Sequence, residues 1–273
     1  MGRKLFCEIN PFFYQISLKK EQLRRYLRDF RSKEEFADEK QEELLPNVVK
    51  EHSSVLIRRL HGVDICLQEN KVTNIRLACE KLNGLVIYPG QTFSLWKTLG
   101  KTTARKGYKE GLVITGGKIG SGIGGGMCQM GNMIHWLVLH SPLRVTELHH
   151  HSDALFPDER RKVPFGTGTS VCYNHIDYRF INETDQPVQL RVWIDGDDFR
   201  GELRSMRPFP HTYILVEEEH HFSREGDDYY RNSKVYRLAY DSETGKELDK
   251  ELILDNHSRV MYDPALIPKE QIR

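Results

Sequence analysis

"EGLVITGGKIGSGIGGGMCQMGNMIHWLVLH", residues 110–140, passes from a β-branched stretch through a glycine-rich passage into a long apolar segment. Gly120, Gly122 and Gly125 satisfy the spacing G-x-G-x-x-G, with a strand before them and a helix after. Glu147 follows about 20 residues on, where a ribose-binding acid would stand. Read that way, the chain would be a doubly wound nucleotide-binding fold. Two features oppose this. "TGGKI" detaches the glycines from the strand, whereas a dinucleotide turn begins where its strand stops. Beyond Ser170 the sequence also alternates with period two, as antiparallel hairpins do, instead of supplying further βαβ units. The nucleotide reading is set aside. "MCQMGNMIHWLVLH" is then a buried helix, apolar on most sides and followed by Pro142, and Cys128 stands at its mouth.

Upstream, "NKVTNIRLACEKLNG" is a second helix, with Val72, Ile75, Cys79 and Leu82 at helical spacing, Asn70 as its cap and Asn83-Gly84 as its end. "SSVLIRRLHGVDICLQ" reads as two strands about a turn at Gly62, and Cys66 and Cys79 read as core residues. "LVIYPGQTFS" is a short strand broken by Pro89-Gly90. Residues 18–32 read as a basic amphipathic helix whose stripe, Leu23, Tyr26, Leu27 and Phe30, packs on its own protein. The charged run "RSKEEFADEKQEELLPN" reads as a linker or surface excursion. Downstream, "LRVTELHHH" is a strand, and "SVCYNHIDYRFIN", "QPVQLRVWIDG", "DFRGELRSM" and "HTYILVEEE" alternate as strands. The tail folds as a hairpin across Thr244-Gly245. The expected class is α+β: a mixed core with two buried helices followed by an antiparallel β-sheet. Residues 1–64 form an N-terminal region with the basic helix and charged linker, 65–210 the motif-bearing domain, and 211–273 a C-terminal β-hairpin extension.

The 273 residues carry 40 Lys and Arg against 39 Asp and Glu, a balance that points to neither nucleic acid nor an acidic membrane. No apolar run approaches the roughly 20 residues of a transmembrane helix. Glu8, Asn10 and Pro11 interrupt any signal-peptide core, so the default address is cytoplasmic, with cell-envelope association as the alternative. Five cysteines without CxxC spacing fit a reducing compartment.

The chemistry centres on Cys128. A glycine run lets amide groups converge, and a helix start adds positive potential, so a thiol there is expected to ionise more easily. The same amides could form an oxyanion hole. On a strand, His149 and His151 share a face and His150 points away, which supplies an imidazole for a Cys-His acyl-transfer site. A zinc ion held by Cys128, His149 and His151 is the rival. A buried thiol beneath a tight turn, beside a solvated histidine cluster, is the plain alternative. Asp153, Asp158 and Asp177 are candidate orienting carboxylates.

The blocks "YPGQTFSLW", "GGGMCQM", "ELHHHSD" and "YNHIDYRFINETDQPV", in this order over roughly residues 65–195, resemble the VanW family. The first matches its P-G-E-T-F-S signature and the second its G-G-G-x-C-Q. Leu148, Gly131 and Gly168 stand where the family commonly has arginine, serine and aspartate. Some members are associated with L,D-transpeptidation of peptidoglycan. The resemblance therefore implies that Cys128 attacks a stem-peptide carbonyl, releases D-alanine and passes the acyl group to a neighbouring amine, with His149 or His151 as base. Gly124, Gly125, Gly126, Gln129, Ser94 and Ser152 are the candidate substrate-binding residues. The expected partner is a peptidoglycan precursor or stem peptide, and no cofactor or metal is called for. The competing reading is a non-catalytic accessory protein that binds a cell-wall precursor or a resistance-pathway enzyme.

Overall fold

The computed structural model describes residues 6, 9–57, 64–115, 118–150, 153–157 and 163–273. Along the chain run α1 (Pro11–Arg31), β1 (Asn47–Val55), α2 (Ile65–Leu82), β2 (Leu85–Ile87), β3 (Thr92–Ser94), α3 (Leu95–Leu99), β4 (Glu110–Thr115), β5 (Lys118–Ile123) and α4 (Met127–Leu139). Then follow β6 (Arg144–Glu147), β7 (Asp153–Ala154), β8 (Arg179–Ile181), β9 (Val188–Asp195), β10 (Asp198–Ser205), β11 (His211–Glu225), β12 (Asp228–Asp241) and β13 (Glu247–Val260). The class is α+β, as expected.

Several local expectations change. The second strand expected in "DICLQ" is the first turn of α2, because the Asp64 carboxylate accepts the Cys66 amide at 2.9 Å and starts the helix there. Asn70 consequently lies inside the helix. Cys66 is exposed, whereas Cys79 is buried and its thiol is pushed up to about 12 by that burial. The end of α2 falls at Asn83, and Gly84 follows with φ +83°. A side chain at Gly84 would meet the Gln41 carbonyl at 2.6 Å.

The glycine-rich passage is half of a hairpin. β5 pairs antiparallel with β4, Gly111 opposite Gly122 and Val113 opposite Gly120, so no strand-to-helix phosphate turn exists here. Three further sheets have the strand orders β1-β10-β9-β2, β3-β8-β6 and β11-β12-β13-β7. All their pairings are antiparallel except β13 with β7. The hairpin expected across Thr244-Gly245 joins β12 to β13.

α4 lies against β1 and β10, and α2 against β9 and β4. Ile134, Leu137, Met130 and Met133 of α4 join Leu190, Val192, Phe199 and Leu203 of the sheet in one core. Gly201 on β10 lets α4 approach closely, since a side chain there would strike Met133 Sδ at 2.8 Å. The charged run after α1 is stitched to this body. Ala37 and Thr92 bond backbone to backbone at 3.0 Å, as do Val86 and Glu39 at 2.9 Å.

Candidate functional site

Cys128 is the second residue of α4, whose N-cap is Gly126 at φ +105°. Gly124 and Gly125 are buried, and their amides donate to the carbonyls of Lys109 and Gly122 at 2.9 and 3.1 Å. Asn74 Nδ2 holds the Gly125 carbonyl at 2.9 Å from α2. The missing side chains permit contact: a Cβ on Gly125 would collide with the Gly111 backbone, and one on Gly126 with the Lys71 stem. Here the glycines close a turn against β4 and α2.

Desolvation raises the Cys128 thiol above its ordinary value, although the backbone at Val171 and at Cys128 itself opposes that rise; the residue as a whole is half-buried. The easier ionisation expected from the helix start is overturned. Desolvation of a thiolate outweighs these backbone hydrogen bonds. Cys172 lies near enough for its own thiol, raised by burial, to feel the charge of Cys128. The sequence reading left this second sulfur out. It stands directly before the block "YNHIDYRFINETDQPV", with nothing in its spacing to pair it with Cys128.

Among the described residues, His149 and His150 have hydrogen-bond partners of their own. β6 ends at Glu147, so His149 and His150 lie beyond the strand on which their facing was argued. His149 Nε2 is 3.0 Å from Glu147 Oε1, and its carbonyl accepts the Ser170 amide at 2.6 Å. His150 Nδ1 faces the carbonyls of Gly166 and Gly168 at 2.9 and 3.2 Å. His151 and Ser152 lie outside the described residues, as does Asp158. Gln129 Nε2 pins the end of β1, reaching Ser54 Oγ at 3.1 Å and the Val55 carbonyl at 3.0 Å. Among the described residues no three His, Cys, Asp or Glu side chains are grouped to hold a metal ion.

What the signature blocks do share is an ionic cluster. Ser94, 1% exposed, donates to Asp177 Oδ2 at 2.5 Å and caps α3 by accepting the Lys97 amide at 3.1 Å. Asp177 also accepts the Trp96 amide at 3.1 Å and Arg179 Nε at 2.8 Å. Arg179 reaches Asp29 on α1 at 2.8 Å. Burial works against the Arg179 charge, but Asp29 and Asp177 outweigh it and hold the group further above its ordinary range. Glu147 accepts the Asp177 amide at 2.9 Å and is bidentate with Arg25. Burial opposes its ionisation, yet the Arg25 and Asp177 hydrogen bonds hold it at about 2. The blocks containing Ser94, Glu147 and Asp177 thus converge on one buried network, with Arg25 and Asp29 of α1 completing it.

A protein-family model described as VanW like protein matches residues 70–204. The chain is 32% identical over 221 residues to the Vancomycin B-type resistance protein VanW of Enterococcus faecalis (strain ATCC 700802 / V583), covering 81% of this chain and 80% of that one. The chain belongs to the VanW family. It is also 30% identical over 119 residues to the Uncharacterized protein YoaR of Bacillus subtilis (strain 168), covering 44% of this chain and 38% of that one. No solved structure shows significant similarity to the chain. The VanW match spans α2 to β10 and includes both Cys128 and the Glu147–Asp177–Arg179 cluster.

Proposed function

We propose that this VanW-family chain serves glycopeptide resistance as a non-catalytic accessory protein that binds a peptidoglycan-type precursor or stem peptide. The resistance context comes from the printed name of the Enterococcus relative. The observation that carries the non-catalytic part is the state of Cys128. Its thiol is raised by burial, and His149 is directed at Glu147. A nucleophilic cysteine needs a thiolate or a base within hydrogen-bond reach. The exposed His149 and His150, beside the carbonyls at 166 and 168, offer polar groups for a peptide backbone without a covalent step.

A second reading, cysteine-dependent L,D-transpeptidase-like acyl transfer, is favoured by the backbone at Val171 and Cys128, which acts to lower the thiol's value. In that reading His151 is the base, and Cys128 carries the acyl group. Intact-mass analysis after incubation with purified muropeptides, paired with equilibrium binding, separates the two. The accessory reading expects saturable binding, no mass increase, and retention of binding in Cys128→Ser. An acyl adduct lost in Cys128→Ser and in His151→Ala would establish the second reading instead.

A further inference from the structure

α1 is packed the opposite way round from an ordinary surface helix. It turns its polar side to the protein: Arg25 is 6% and Asp29 7% exposed, while Gln22 Nε2 donates to the Tyr173 carbonyl at 3.0 Å and Asn174 Nδ2 to the Gln22 carbonyl at 3.0 Å. Its apolar stripe faces outward. Phe12 is 67% and Phe30 80% exposed, and Ile16, Leu23, Tyr26 and Leu27 lie open between them. Steps of three and four residues put these side chains on one face, about 27 Å long at 1.5 Å per residue. The stripe expected to pack inward is therefore exposed, because the i, i+4 pair Arg25 and Asp29 has buried partners in Glu147 and Arg179.

The flanks of that stripe say what it fits. Lys19, Lys20, Arg24 and Arg31 are exposed beside it. Of the two acidic residues of the helix, Asp29 is buried against the protein, and half-buried Glu21 pairs along the helix with Arg24 at 2.7 Å. The outward face thus combines aromatic and aliphatic side chains with a border of cations, where Glu21 is the one carboxylate among the described side chains beside Lys20 and Arg24. A second copy docking through the same face would bring like charges together. An interfacial helix at an anionic lipid surface needs this combination of apolar stripe and basic border.

We propose that α1 is an in-plane anchor that seats this protein on anionic membrane surfaces, held to the body by the Arg25–Glu147 and Asp29–Arg179 pairs. The helix lies on the bilayer and does not cross it. Among the described residues no helix is long and apolar enough to span a membrane. The proposal is independent of whether Cys128 turns over a substrate.

Co-sedimentation of the full chain with vesicles tests it. With phosphatidylcholine containing about one third phosphatidylglycerol, the bound fraction should exceed that on pure phosphatidylcholine roughly tenfold or more, and fall as salt is raised. Leu23→Glu with Phe30→Glu should abolish binding, and Lys20→Glu with Arg31→Glu should remove the anionic preference. All four sites are exposed, and circular dichroism checks that the variants stay folded. Absence of vesicle binding by the native protein, or equal binding by the Leu23→Glu/Phe30→Glu variant, would overturn the proposal. So would a concentration-dependent dimer that Phe30→Glu disperses while vesicles remain unbound.

Discussion

Arg25 of α1 and Glu147 at the end of β6 are bonded through both terminal guanidinium nitrogens and both carboxylate oxygens, although 122 residues separate them in sequence. Arg25 also donates to the His175 carbonyl at 2.8 Å, so one side chain ties the N-terminal helix to two parts of the signature region. Arg25→Ala would leave Glu147 with less compensation in a largely buried place. The expected cost is about 3–5 kcal/mol, the scale for breaking a buried pair from one side. Urea unfolding measures it, and limited proteolysis should show α1 cleaved early. Arg25→Lys should restore only part, because an ammonium cannot reproduce the two-pronged contact.

His135 sets a pH dependence. Its ring is fully enclosed and 3.1 Å from the Tyr178 hydroxyl, and burial, with a smaller effect of His150, lowers its value from 6.5 to about 3. In the unfolded chain the imidazole takes a proton near 6.5, and in the native state it does not. Stability from this group is therefore complete above 6.5 and is lost as pH falls toward 3. Between pH 7 and pH 5 the loss should be about 2 kcal/mol. Unfolding curves at the two pH values check this. His135→Asn should be less stable at pH 7 and show a smaller change between the two.

The glycines separate by position. Gly125→Ala must push its new methyl into the Gly111 backbone, which has no soft end to yield, whereas among the described residues a Cβ at Gly120 meets Val113 alone, at 3.9 Å. Overpacking of a tight site costs about 1–3 kcal/mol, occasionally more, and Gly125→Ala should lie at or above the top of that range. Gly120→Ala should stay within about 0.5 kcal/mol of the native protein. Thermal unfolding of both variants gives the comparison.

Short-range patterns in the sequence carried most of the elements. α4 is apolar on nearly every side, β9 and β10 meet at Asp195-Gly196, and the β12–β13 hairpin turns where Thr244-Gly245 marks it. Long-range electrostatics left no such trace. Nothing in the spacing of Arg25, Asp29, Glu147, Asp177 and Arg179 announces that they meet, so α1 was expected to bury its apolar side. A stripe alone does not say which face is covered when charged residues have buried partners. The same holds for the site. Gly126 and Cys128 do begin a helix, but the Thr169 and Val171 segment packed beside it, some 40 residues downstream, left no mark in the local spacing.

The accessory-protein account depends on a Cys128 thiol that stays protonated near neutral pH. Site-resolved iodoacetamide alkylation of the native protein across a pH series reads that state directly. The account predicts a Cys128 rate that is low at neutral pH, still rising above pH 9, and increased sharply by denaturation, in keeping with a thiol held above its ordinary 9.0. A Cys128 that alkylates at full rate near pH 7 without denaturant, with its inflection below neutrality, would be an activated nucleophile and would contradict the account.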